Sequence, residues 1–195
     1  AIASHFLFEY IHPFYDGNGR TGRYLLALYL SNDLTLPTVL SLSRTIAENK
    51  NEYYKAFTEA EDKLNSGELT FFVYTILGHI ERAQESLIEE LGVKIDQLDK
   101  ATVLRDELRR EHALSTNATL LLYAVMQEEL FDTTKSMTLE DAGGDLMLTK
   151  QTIRKYVDEL AGASLIEFTG RRPVRFRASG ALRTRIQAKR EWGME

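Results

Sequence analysis

His12-Pro13-Phe14-Tyr15-Asp16-Gly17-Asn18-Gly19-Arg20-Thr21-Gly22-Arg23 is the stretch on which the reading of this chain turns. It brings an imidazole, a carboxylate, a run of small residues and two guanidiniums close together in sequence. Asp-Gly-Asn-Gly is turn chemistry, because glycine and asparagine tolerate positive φ where other residues are strained. An apolar run, Tyr24-Leu25-Leu26-Ala27-Leu28-Tyr29-Leu30, follows at once, so the turn opens onto a buried helix. Amides at the start of such a helix have no intrahelical acceptor and favour an anion ahead of them. Arg20 and Arg23 add guanidiniums suited to phosphate oxygens. Asp16 suits a hard cation such as Mg²⁺, which keeps waters and binds through one or two carboxylates plus phosphates. His12 is then a base beside a polyphosphate. The chemistry implied is transfer of a phosphate-containing group to a nucleophile that His12 deprotonates.

The stretch resembles the signature of the Fic (filamentation induced by cAMP) family, H-x-F-x-D/E-G-N-G-R-x-x-R. Its fixed positions are His12, Phe14, Asp16, Gly17, Asn18, Gly19, Arg20 and Arg23. The preceding His5-Phe6-Leu7-Phe8-Glu9-Tyr10-Ile11 looks like the helix leading into the Fic loop, and Leu42-Ser43-Arg44-Thr45-Ile46 through Tyr53-Tyr54 extends the likeness. The resemblance implies a protein adenylyltransferase, moving AMP from ATP to a Ser, Thr or Tyr hydroxyl of a target protein and releasing pyrophosphate. It assigns His12 as catalytic base and Asp16 as the Mg²⁺ carboxylate. Gly17, Asn18 and Gly19 become the anion nest, Arg20 and Arg23 the holders of the outer phosphates, and Phe14 a core residue that fixes the loop. It leaves the nucleotide open, since some members use UTP or CDP-choline, act as kinases, or remove AMP.

Composition bounds the alternatives. The chain has 195 residues, 44% of them hydrophobic, enough for one large or two small packed cores. It has no cysteine, which excludes disulfides and thiolate metal sites and fits a cytoplasmic location. No apolar run approaches a membrane span, so no membrane partner is expected. Fic catalytic domains normally carry helices and a target-registering hairpin ahead of the signature, so the chain is expected to be the C-terminal part of a longer protein.

Charge is divided unevenly. Residues 1–148 carry 13 Lys/Arg against 24 Asp/Glu, a net of −11, whereas residues 149–190 carry 11 against 3, a net of +8. An acidic front and a basic rear suggest different partners for the two halves.

The expected fold is mainly α: a partial Fic-type helical core (1–90), a helical connector (91–113), a winged helix-turn-helix with a small β-hairpin (114–180) and a basic terminal helix or tail (181–195). Helices are expected at 1–11 and 19–31, with Asn32, Asp33 and Pro37 marking the exit. A further helix, capped by Ser41 or Ser43, is expected to reach about Leu64. Tyr54 and Asn65 are candidates for the adenosine end of a nucleotide, against the plainer reading of a core aromatic and a turn residue. From Phe72 to Leu108 apolar residues recur at three- and four-residue steps, a long helix with Gly92 as a break or kink. That helix is a candidate surface for a homodimer.

The rear module begins with Ser115, Thr116 and Asn117 as caps for a helix over 118–130. A short helix starts at Thr138, Gly143-Gly144 supplies a turn, and Thr149 caps a third helix, Lys150 to Leu160. Leu165–Phe168 and Val174–Arg177 alternate as hairpin strands. The arrangement is similar to a winged helix, a common companion of Fic domains. Lys150, Gln151, Arg154 and Lys155 on the third helix, with Arg171 and Arg172 at the hairpin tip, are candidate DNA contacts. The alternative is a transcriptional or toxin-antitoxin-type regulator whose Fic part is restrained or uses another nucleotide. Fic enzymes are commonly restrained by a glutamate in S/T-x-x-x-E-G/N that pairs with the second signature arginine, here Arg23. The nearest match is Ser136 with Glu140, but Asp141 follows, so any such glutamate is expected outside this chain.

Overall fold

The computed structural model describes residues 1–132 and 136–191, apart from the side chains of Arg171, Arg190 and Glu191. It is mainly helical, with a small antiparallel sheet near its C-terminal end. Contacts divide the chain into two compact units, Ala1–Gly92 and Val93–Glu195.

The first unit is built from α1 (Ile2–Ile11), α2 (Asn18–Leu30), α3 (Leu36–Glu48), α4 (Lys50–Glu61), a 3₁₀ turn (Lys63–Asn65) and the first part of α5 (Thr70–Glu111). Pro37 does not mark an exit. It lies in the first turn of α3, where a missing N–H breaks no helical bond. The single helix expected to reach Leu64 is two helices divided at Asn49. That residue takes φ −113° and ψ 38°, off the helical values, and its Nδ2 donates at 2.8 Å to the same Thr45 carbonyl that its backbone N–H reaches at 3.0 Å. Phe6, Tyr53, Phe57 and Phe72 form the centre of the core. Their rings meet mostly edge to face, with Phe57 and Phe72 centroids 4.6 Å apart, a geometry that adds about 0.5–1.5 kcal/mol per pair beyond burial. Gly92 neither ends nor divides α5, which runs unbroken for 42 residues.

The second unit takes the remainder of α5, then α6 (Thr116–Phe131), β1 (Met137–Thr138), α7 (Leu139–Leu146), α8 (Lys150–Gly162), β2 (Ile166–Arg171), β3 (Val174–Ala178) and α9 (Gly180–Glu191). Ser115 caps α6 by accepting from Ala118 N–H, and Thr149 caps α8 by accepting from Thr152 N–H. Gly143 and Gly144 are not a turn. A capping box between Thr138 and Asp141 starts α7 ahead of them, and Met147 ends it in the left-handed region at φ 54°.

The sheet has the order β1-β3-β2, with Met137 opposite Phe176 and Ile166 opposite Ala178. Its two-residue edge strand β1 carries no periodicity and has no counterpart in the sequence expectation. Ala101, Leu104 and Leu108 of α5, from the stretch read as a connector, are buried in this unit's core. The basic terminal segment is helical through Glu191, and residues 192–195 lie outside the described ones. Leu182 and Ile186 of α9 enter the core, while Arg185 pairs with Glu111 at 2.7 Å and Lys189 with Glu107 at 2.9 Å. Among the described residues no helix is long and apolar enough to cross a membrane.

Glu128 on α6 sits near Asp132 and near Asp145 and Asp141 of α7. Burial, then hydrogen bonding to Asp132 and the neighbouring carboxylates, push it up to about 7. An acid whose folded value exceeds its unfolded one binds extra protons when folded, so stability falls as pH rises between the two values. The second unit is therefore expected to lose stability as pH rises from about 4.5 to about 7 in urea titrations. Glu128→Gln is expected to flatten that decline.

Candidate active site

The signature occupies the loop between α1 and α2 and the first turns of α2. Helix α1 ends at His12, which takes the left-handed conformation (φ 50°, ψ 58°) while its N–H still donates to Phe8 O. This turns the imidazole out of the helix into solvent. Its Nδ1 lies 3.3 Å from the Glu9 carbonyl. A ring nitrogen that donates to a carbonyl carries the proton, which leaves Nε2 with its lone pair outward.

Asn18 closes the loop. It is 2% exposed, its Oδ1 accepts from Phe14 N–H at 2.9 Å and its Nδ2 donates to Phe14 O at 2.6 Å. Both backbone polar groups of one loop residue, which belong to successive peptide units, are thereby satisfied by a single amide side chain. Gly17, at φ 84°, is the N-cap of α2 and offers no capping side chain. The amides of Asn18, Gly19 and Arg20 are first-turn amides without intrahelical acceptors. Gly17 N–H differs: it donates to Asp16 Oδ1 at 2.7 Å.

Phe14 is not in the core. Half of it is exposed, and it rests against Phe8 with ring centroids 6.0 Å apart. Asn18, a polar residue, does the fixing that the sequence assigns to Phe14, because its amide can bond the loop backbone and a phenyl ring cannot.

Asp16 and Arg20 are both exposed and approach at 3.7 Å, an ion pair of little weight in water. No cluster of three or more acidic, histidine or cysteine side chains able to hold a metal occurs among the described residues. A lone exposed carboxylate still fits Mg²⁺, which needs only one or two protein oxygens when phosphates and water supply the rest.

Arg23 is half-buried and faces a cavity of about 180 Å³ lined by Glu9, Gly19, Tyr53, Tyr54, Phe57 and Glu61. Tyr54 therefore stands near Arg23. Asn65 does not: it lines a different cavity of about 350 Å³ with Glu59, Glu68 and Phe71, and its Nδ2 donates to Glu68 O at 2.6 Å.

Three polar residues around Arg23 escape a motif-based reading. Glu9 has a buried Oε1 with no partner, and burial raises its carboxyl while the charges of Arg23 and His12 oppose that rise. A Cβ on Gly22 would overlap that same oxygen, so any larger residue there would force the Glu9 carboxyl to shift. His5 and Tyr53, both buried, share a 2.7 Å hydrogen bond. The available signal was a histidine on an apolar helix face.

The candidate nucleic-acid contacts are placed as follows. Gln151, Arg154 and Lys155 are exposed on α8, and the latter two make no ion pair among the described residues, whereas Lys150 pairs with Glu140 at 2.8 Å. Arg172 is exposed in the hairpin; the Arg171 side chain lies outside the described residues. Arg177 and Arg183 are held by Glu167 at 2.7 and 3.2 Å.

A helix–loop–helix bearing this signature defines the class to which the first unit belongs. Residues 1–30 match the model of the Fic/DOC family. The front of the chain is thus similar to Fic-family proteins. Over 98 residues, half of this chain, it is 32% identical to protein adenylyltransferase fic-1 of Caenorhabditis elegans, covering 18% of that protein. Over 63 residues, 32% of the chain, it is 43% identical to a probable protein adenylyltransferase of Aquifex aeolicus (strain VF5), covering 17% of it. Over 88 residues, 45% of the chain, it is 30% identical to protein adenylyltransferase Fic of Nematostella vectensis, covering 18% of it. The matched stretches thus span less than a fifth of those relatives' lengths.

Asn18→Ala removes both partners of the Phe14 peptide groups. It is expected to lower stability by about 1–3 kcal/mol in urea unfolding. Tyr15→Ala, at a fully exposed ring in the same loop, is expected to change it by less than about 0.5 kcal/mol.

Proposed function

We propose that the first unit is the catalytic part of a protein adenylyltransferase, transferring AMP from ATP to a hydroxyl side chain of a target protein. The observation that carries the reading is the placement of His12: an exposed imidazole with Nε2 outward, at the end of a loop whose far side is the uncapped start of α2. The relatives named adenylyltransferases support the same class.

In this reading His12 Nε2 takes the proton of the target hydroxyl as its oxygen attacks the α-phosphorus. The bond from that phosphorus to the bridging oxygen breaks, and pyrophosphate leaves with the electron pair. The amides of Asn18 and Gly19 donate to the oxygens on which charge accumulates. Arg20 and Arg23 hold the outer phosphates through fork-shaped guanidiniums. Asp16 is the residue that would hold Mg²⁺, which when bound neutralises phosphate charge. In the test, full-length protein is incubated with ATP labelled on its α-phosphate and with Mg²⁺. Label is expected on protein and is expected to fall about a hundredfold or more in His12→Ala. Equal labelling by the two proteins contradicts the reading.

A second reading concerns the rear unit. Its three-stranded sheet, short helix α7 and following helix α8 have the parts of a winged helix, and the exposed Arg154 and Lys155, which make no ion pair among the described residues, favour a DNA-binding role for α8. Lys150 contributes less, because Glu140 already neutralises it. Replacing Arg154 and Lys155 together by alanine is expected to weaken DNA binding about tenfold or more and to reduce the salt slope by about 2. Binding that ignores salt contradicts a phosphate-contact mode.

A further inference from the structure

The first unit has a cavity of about 350 Å³ that the proposed mechanism does not use. Ala56 and Ala60 of α4 with Phe72 of α5 form its apolar floor, and Glu59, Glu68 and Phe71 stand around them. It shares no lining residue with the cavity beside Arg23. At about 100° per residue, Ala56, Glu59 and Ala60 fall on a different side of α4 from Tyr54, Phe57 and Glu61.

The cavity is built into the fold. Two alanines one turn apart leave α4 without a side chain that fills the space over Phe72. The segment that closes it is fixed by Asn65, whose Nδ2 donates to the Ala60 carbonyl at 3.3 Å and the Glu68 carbonyl at 2.6 Å. Ser66 and Gly67, at φ 55° and 77°, make the bend between those two anchors.

Every charged residue in the lining is acidic. Thr70 N–H and the Thr70 hydroxyl donate to Glu68 Oε1 at 2.8 and 2.5 Å, which fixes that carboxyl and holds it below the usual carboxylate range. Glu59 pairs with Lys55 at 3.4 Å, an exposed contact of little weight in water. Phe71 is 74% exposed, whereas Phe72 beside it is 1% exposed. A ring left in water next to two carboxylates, over an apolar floor, matches a long side chain with an apolar stem and a planar cation. Arginine fits better than lysine, because a guanidinium is weakly hydrated, stacks on a ring and forks onto a carboxylate. Leu64, just before Asn65, is 93% exposed, so apolar surface continues past the cavity and suits a protein segment more than a free small molecule.

We propose that this cavity docks an arginine side chain presented by a partner protein, its stem on Ala56, Ala60 and Phe72, its guanidinium against the Phe71 ring and its charge met by Glu59 and Glu68. None of these residues belongs to the signature, so the proposal is independent of the reaction assigned to the first unit.

The test is methyl NMR of the full chain, labelled at its alanine methyl groups and titrated with the peptide acetyl-Leu-Arg-Leu-amide. The Ala56 and Ala60 methyls are expected to shift saturably. The same peptide with citrulline in place of arginine keeps the shape and loses the charge, and is expected to bind about tenfold more weakly or worse. Glu59→Gln combined with Glu68→Gln, which keeps a side-chain carbonyl for Thr70, is expected to weaken arginine-peptide binding about tenfold or more. Phe71→Leu, at an exposed ring, is expected to weaken it about threefold, and carries the test should the double variant fail to fold. No shift at the two methyls, equal binding of the citrulline peptide, or binding unchanged in the variants overturns the proposal. Shifts of those methyls on dilution of the chain alone identify a second copy as the occupant, and free arginine binding as tightly as the peptide identifies a small molecule. Either result overturns the assignment to a partner protein.

Discussion

Two hydrogen bonds from one buried amide hold the region together. Asn18 grips the Phe14 backbone from both sides, and in doing so fixes the path of the loop between α1 and α2. Without that grip the Pro13–Gly17 segment has few anchors: Tyr15 and Asp16 are exposed, and Phe14 is only half covered. With it, Gly17 can take its positive φ, α2 starts at Asn18, and the first-turn amides acquire a fixed direction. The ring of His12 is set from the other end, by the left-handed residue that terminates α1. The His12 imidazole and the first-turn amides of α2 are thus positioned by opposite ends of one short segment.

Support for that segment comes from below. Phe6, Phe57 and Phe72 form a close-packed aromatic floor, and within it His5 Nε2 and the Tyr53 hydroxyl share a hydrogen bond. A buried polar pair in such a core is costly unless it is bonded, and once bonded it specifies one arrangement of the helices around it. Glu9 adds a carboxyl held up by burial next to Arg23. The second signature arginine therefore has a polar surround drawn from α1 and α4, elements that a motif confined to His12–Arg23 does not include.

Much of this was legible because local rules and tertiary structure agree. The apolar run after Arg23 gives α2, the Ser115 and Thr149 caps give the starts of α6 and α8, and alternation over 165–168 and 174–177 gives the hairpin. The departures have physical causes. Asn49 interrupts an apolar pattern that otherwise reads through, leaving helical backbone angles while its side-chain amide and backbone N–H both donate to the Thr45 carbonyl. Gly143-Gly144 reads as a turn until the capping box at Thr138 fixes the helix start ahead of it. The family resemblance implies Phe14 as a core residue that fixes the loop, yet half of it is exposed and the loop is held by a polar bond. The basic rear segment reads as a ligand-binding block, while much of its charge is taken up within the unit by Glu107, Glu111, Glu140 and Glu167. Composition counts charges; only the fold says which of them already have partners.

The most direct test of the central claim is a crystal structure of full-length protein with a non-hydrolysable ATP analogue and Mg²⁺. The account predicts the α-phosphate against the amides of Asn18 and Gly19, the outer phosphates toward Arg20 and Arg23, and His12 Nε2 facing the α-phosphorus. A nucleotide bound elsewhere, with the start of α2 facing only water, contradicts it.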